Sequence, residues 1–156
     1  MAQPNERSFL WKLRNFSPNE LFMLFEALLL IGASAVAIRL LPFPTITQMA
    51  SMKIRNPLEP NSERRRYLAE TVGWAVDRAA KRSRLRALCF ERGLTAQIML
   101  RRRGVDSTLF YGAAPGRHKP LDAHVWVMDQ NIDVTGAEIA KQYALLVTCP
   151  AGRTSL

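Results

Sequence analysis

The chain has 156 residues, 48% hydrophobic and 22% charged, which suits one globular domain with its own core and excludes a disordered or collagen-like chain. The formal charge is +9, and between Glu63 and Arg103 twelve basic residues stand against four acidic ones. Such a field favours an anionic partner such as an acidic peptide, an anionic membrane surface or nucleic acid. The arginine triplets Arg64–Arg66 and Arg101–Arg103 carry no interleaved aromatics, so they make no stacking platform for nucleic acid, and an acidic peptide or a partner protein suits them better.

The start "MAQPNERSFLWKLRNF" is polar and mixed in charge, unlike a secretory signal. Two cysteines in such a chain read as free thiols rather than a disulfide framework, and a cytoplasmic location is expected. Ser17, Pro18 and Glu20 form a capping box with proline in the first helical turn, opening a helix that runs to about Leu41. Pro42 and Pro44 stop it. Only Ala27–Ile38 lies between its charged residues Glu26 and Arg39, a length that favours a core or interfacial helix over a membrane span and leaves weak contact with a membrane surface open. A short helical piece is predicted over Thr45–Lys53. "RNPLEPNSERR" is a linker, which divides residues 1–60 from residues 61–156.

A second long helix starts near Ser62, with Leu68, Val72, Ala75, Val76 and Ala79 at helical spacing. A third is "CFERGLTAQIMLRRRG", with Leu94, Ile98 and the stem of Arg101 as its apolar stripe and Gly104 as its cap. After Gly104 the pattern changes to short runs rich in Val, Leu, Thr and aromatics, "STLFYGA", "AHVWVM", "IDVTG" and "YALLVTC". These predict an antiparallel sheet, and helices followed by strands mean an α+β fold.

Cys89 opens the third helix behind the basic run "KRSRLRAL". The helix dipole and nearby cations favour a thiolate there, a competent nucleophile if an imidazole exchanges its proton. His124, at the head of a strand 35 residues on, offers that imidazole. The plain alternatives are that Cys89 is a small core residue and His124 a packed strand residue. Cys149 has only Arg153 as a basic neighbour and reads as structural, and His118 in "PGRHKP" reads as a solvated loop residue. Cys89, His118 and His124 match no usual zinc spacing, so no metal is expected.

The ordered set "CFERGLTAQIMLRRRG", "LFYG" and "LDAHVWV" resembles the transglutaminase-like cysteine peptidase domain of lasso peptide biosynthesis B2 proteins. Upstream "LLPFP" and "VGWAVDRAAKR" and downstream "AKQYALLVT" extend the resemblance to about nine-tenths of the chain. It implies a transglutaminase-like, papain-like core in which a cysteine-bearing helix packs on a small antiparallel sheet. It also implies a leader peptidase that cuts a lasso precursor peptide between leader and core. A leader-recognition protein delivers the substrate, and an asparagine-synthetase-like cyclase closes the ring. By motif, Cys89 would be the nucleophile and His124 the general base and acid, with no cofactor required.

An Asp on the strand after the histidine usually orients the imidazole in this family. Counted without gaps, its place falls near Gly136, which has no side chain, and Asp129 and Asp133 are the available acids. A two-residue turn at Asp129–Gln130 puts Asp133 on the face of His124 as a diagonal neighbour, within reach of a side-chain contact. A three-residue loop ending at Asn131 turns Asp133 to the other face. Asp133 is therefore the candidate third member, and Asp129 reads as a turn residue. A Cys–His dyad with the imidazole held by a backbone carbonyl is the alternative.

Overall fold

The computed structural model describes residues 17–82, 89–116 and 120–151. The capping box forms as the sequence predicts: the Glu20 N–H donates to the Ser17 hydroxyl at 3.3 Å, and the Ser17 N–H donates to the Glu20 carboxylate at 2.7 Å. These bonds hold the Glu20 carboxyl below its ordinary range. Helix α1 spans Pro18–Leu40. Met23, Leu24, Ala27, Ile31 and Ala35 are buried, while Phe22, Phe25, Leu29 and Val36 are more than half exposed. The helix is long and apolar enough to cross a membrane by length and composition, and one side of it is a wall of the core.

Helix α2 spans Phe43–Ala50, two residues ahead of the predicted start. Pro42 and Pro44 end α1 and also lie at the opening of α2, where a missing N–H is no loss. Helix α3 spans Glu63–Arg82, and the whole predicted stripe from Leu68 to Ala79 is buried. A Cβ on Gly73 would stand 2.6 Å from the Val134 carbonyl oxygen, so only glycine lets α3 lie this close to the sheet.

Helix α4, Cys89–Arg102, is the hub. The predicted stripe Leu94, Ile98 and Arg101 is buried, but so is every residue from Gly93 to Leu100, because α4 packs on α1, α3 and the sheet together. Gln97 is buried inside it and fully used. Its amide donates to the carbonyls of Ala50, Ser107 and Cys149 at 3.0, 3.2 and 2.9 Å and accepts from the Ser107 hydroxyl at 2.8 Å. One side chain thus ties α2 to both neighbouring strand ends. Gly104, at φ +84°, ends the helix as predicted.

The sheet is antiparallel, with strands β1 Thr108–Pro115, β2 Leu121–Asp129, β3 Ile132–Thr135 and β4 Ala144–Cys149 in the order β3-β2-β1-β4. A 3-10 helix, Ala137–Gln142, joins β3 to β4. The fold is therefore α+β, with the cysteine-bearing helix on a small antiparallel sheet, as expected.

The β2–β3 turn differs from both predicted forms. Asp129 pairs with Ile132 around Gln130–Asn131, and Gln130 rather than Asn131 takes the left-handed backbone. Met128 faces Asp133 and Val127 faces Thr135, so Val134 is an extra residue, a bulge. Asp129 is not a turn residue but a buried strand end. Its carboxylate accepts from the Arg65 Nε at 2.9 and 3.0 Å, and the two side chains are 1% and 8% exposed.

The arginine triplets are likewise largely structural. Arg65 serves Asp129. Arg101 is buried and donates to the carbonyls of Met52 and Ser107 and to Asp106. Arg102 and Arg103 pair with Glu26.

Candidate active site

Alternate residues of a strand point to opposite faces. Val125 faces α4 so closely that a Cβ on Gly93 would overlap its Cγ1 at 2.4 Å. His124 and Trp126 therefore lie on the other face of β2. There the imidazole is enclosed by rings. Trp126 stacks on it at 5.9 Å, Tyr143 leans on it at 5.0 Å, and Phe110 stacks on Trp126 at 5.5 Å. His124 is 7% exposed. Trp126 walls the histidine and is itself buried. The same face opens into a cleft of about 720 Å³ lined in part by Thr108, Phe110, Trp126, Met128, Tyr143 and Leu145.

Cys89 reaches β2 from the opposite side, at its edge. Strand β3 pairs with β2 only as far as Thr135 opposite Val127. Beyond that point the Val125 carbonyl lies against Gly136, where a Cβ would be 2.9 Å away, so this edge of β2 faces β3. Carbonyls of alternate residues share an edge, and Ala123 aims at the same side with no β3 residue opposite. The Cys89 thiol occupies that place, with Sγ 3.8 Å from the Ala123 carbonyl oxygen and the thiol half-buried. The structure thus brings Cys89 to the residue preceding His124.

The third member stands differently from the expectation. Asp133 pairs with Met128, four residues along β2 from His124, roughly 13 Å at strand spacing. Both its carboxylate oxygens accept from the Ala137 N–H, each at 3.1 Å. Burial pushes its carboxyl above the ordinary range, the Ala137 N–H opposes that, and neighbouring Glu138 adds to it. The imidazole partner is instead the Gly136 carbonyl, 2.7 Å from Nε2. The bulge at Val134 carries the chain so that Gly136 meets His124, and a Cβ on Gly136 would lie 3.2 Å from Nε2. The gapless count from the histidine had marked this position, but a sequence read for side chains does not show what a glycine carbonyl will do.

A carbonyl oxygen only accepts, so Nε2 carries a proton, and in the neutral ring the lone pair is on Nδ1. That is the tautomer a general base needs. Cys149 is the contrasting thiol: it is buried, and burial pushes its pKa up, with Ser51 and Arg101 opposing. His118 lies outside the described residues. Among the described residues no group of three or more His, Cys, Asp or Glu is placed to hold a metal ion.

Residues 30–148 match the transglutaminase-like superfamily. The chain belongs to that superfamily. The match spans α4, the sheet and the Cys89, His124 and Gly136 positions together. Neither a curated protein nor a solved structure matches the chain.

Proposed function

We propose that this transglutaminase-like chain is a cytoplasmic cysteine peptidase that removes the leader from a lasso peptide precursor. It acts with a leader-recognition protein and an asparagine-synthetase-like cyclase. The observation that carries the reading is the convergence at one edge of β2. A helix-opening cysteine lies beside Ala123, and the next residue is a histidine whose tautomer leaves Nδ1 unprotonated. The lasso assignment rests on the resemblance of the ordered motifs around Cys89 and His124.

In this mechanism the Cys89 Sγ attacks the scissile carbonyl carbon and its proton passes to the His124 Nδ1. The carbonyl oxygen becomes an oxyanion facing the head of α4, where the Cys89 N–H is among those that a helix start leaves without an intrahelical partner. Collapse breaks the C–N bond, and the Nδ1–H protonates the departing amine. Water, deprotonated by Nδ1, then attacks the thioester; collapse releases the acid, and Nδ1–H returns the proton to Sγ. The cleft beside Trp126 and Tyr143 offers apolar and aromatic surface to residues flanking the bond.

The experiment is incubation with the precursor and leader-recognition protein, read by mass spectrometry. One cut at the leader–core junction is expected, lost in Cys89→Ala. Cutting by Cys89→Ala at the wild-type rate overturns the assignment.

A second reading, a non-catalytic scaffold that binds precursor and cyclase, is favoured by one observation. A neutral carbonyl stands where the family's acid usually stands. On that reading the wild-type chain leaves the precursor intact yet retains it in a pull-down.

A further inference from the structure

We propose that Asp133 is a positioning residue that acts on His124 through the Gly136–Ala137 peptide group. This deepens the reading of His124 as the general base and rests on it. The Gly136 carbonyl and the Ala137 N–H belong to one planar peptide unit. At its nitrogen end, both Asp133 oxygens accept from the N–H at 3.1 Å. At its oxygen end, the carbonyl accepts from the His124 Nε2–H at 2.7 Å. The order is carboxylate, N–H, C=O, H–Nε2, with every donor facing an acceptor.

Such a chain is cooperative. An anion at the N–H end draws the amide proton and pushes electron density onto the carbonyl oxygen, and each hydrogen bond strengthens the next by about 10–30%. The oxygen that Nε2–H meets is thereby more negative than an ordinary carbonyl, and it better supports the imidazolium that forms when Nδ1 takes a proton. The arrangement supplies part of the effect of a carboxylate at position 136 without one. Gly136 is needed for it, because its φ of +84° turns the carbonyl to the ring, and any Cβ there would press on both the Val125 oxygen and Nε2.

Other groups bear on the strength of the relay. Glu138 lies beside Asp133 and adds negative charge. Trp126 and Tyr143 lie against the imidazole, which is 7% exposed. Cys89, at the neighbouring Ala123 carbonyl, and the Tyr143 phenol are further titratable groups near His124 among the described residues. The Asp133 residue is exposed although its carboxyl is partly desolvated and held above the ordinary range; both weaken the relay, and an effect on the order of threefold in rate is expected rather than the loss of a catalytic group.

A simple turn cap explains the Asp133–Ala137 bond equally well, so the test must separate charge from capping. Asp133→Asn keeps an oxygen for the Ala137 N–H and removes the charge. The direct readout is the His124 Nε2–H proton resonance. With only two histidines in the chain, His118 and His124, a His118→Asn background assigns it. The expected result in Asp133→Asn is an upfield shift of that resonance, an unchanged melting temperature, and a kcat about threefold lower at constant KM. A resonance that stays in place overturns the relay and leaves Asp133 a turn cap. If Asp133→Asn does not fold, Asp133→Ser carries the same test, since its hydroxyl also accepts from a backbone N–H. The resonance is read without substrate, so a shift in a chain that cuts no precursor would sustain the relay and remove the peptidase reading alone.

Discussion

The two ends of β2 handle polarity in opposite ways. At the Asp129 end, a buried carboxylate is gripped by the Arg65 guanidinium, with charge matched to charge and both partners out of water. At the His124 end, the partners of the proposed catalytic groups are backbone carbonyls, Gly136 for the imidazole and Ala123 for the thiol. A buried ion pair is costly to break and is fixed in one state. Neutral carbonyls hold the imidazole in orientation while leaving its second nitrogen to exchange a proton. One end of the strand is held by matched charges, and the other by neutral carbonyls.

The sharpest way to break this contrast is to remove one group from each end. Cys89→Ala is expected to abolish precursor cleavage while changing stability by no more than about 0.5 kcal/mol, as for a substitution outside the packed core; mass spectrometry and urea denaturation check the two halves. Asp129→Ala is expected to do the reverse. It strands a buried guanidinium and destabilises by about 3–5 kcal/mol, while the molecules that remain folded keep their cleavage rate.

Between these extremes lies Gly93→Ala. The new Cβ meets the Val125 Cγ1 at 2.4 Å, forcing α4 away from β2 at a cost of about 1–3 kcal/mol. Cys89 rides on α4 and His124 on β2, so kcat should fall more than the folded fraction does. A result in which activity tracks the folded fraction would mean that the α4–β2 spacing does not set the site.

The smallest effect concerns the second thiol. Burial raises the Cys149 pKa, so the folded state holds this proton more tightly than the unfolded chain. Stability from this group is fully present below the ordinary thiol range and is lost as pH rises through the raised folded value. Denaturation of the wild type should therefore show a slight alkaline loss of stability that Cys149→Ala lacks.

Local signals in the sequence translated directly into structure. The Ser17–Glu20 box, the α3 stripe and the Gly104 cap each depend on neighbours within a few residues, and each formed as predicted. The β2–β3 turn did not. Its register is fixed by Asp129, which is held as a strand end by Arg65, 64 residues away in sequence, and no local turn preference carries that information. For the same reason the arginine triplets read as a patch for an acidic peptide or a partner protein, whereas Arg65, Arg101 and Arg103 serve groups of the chain itself. Cys89 was legible because it sits at the head of α4, whereas His124, expected at a strand head, is the fourth of the nine residues of β2. That a main-chain oxygen holds the imidazole was the alternative read beside Asp133; that it is the Gly136 oxygen was not legible, because a bulge at Val134 places it.

The central claim is that the His124 end of β2 activates one of the two thiols. The most direct measurement is the rate of iodoacetamide alkylation of each cysteine at neutral pH, resolved by peptide mass spectrometry. The account predicts that Cys89 reacts faster than a free model thiol, that Cys149 stays unmodified in the native state, and that His124→Ala brings Cys89 down to the model rate. A Cys89 no faster than the model thiol in the wild type would contradict it.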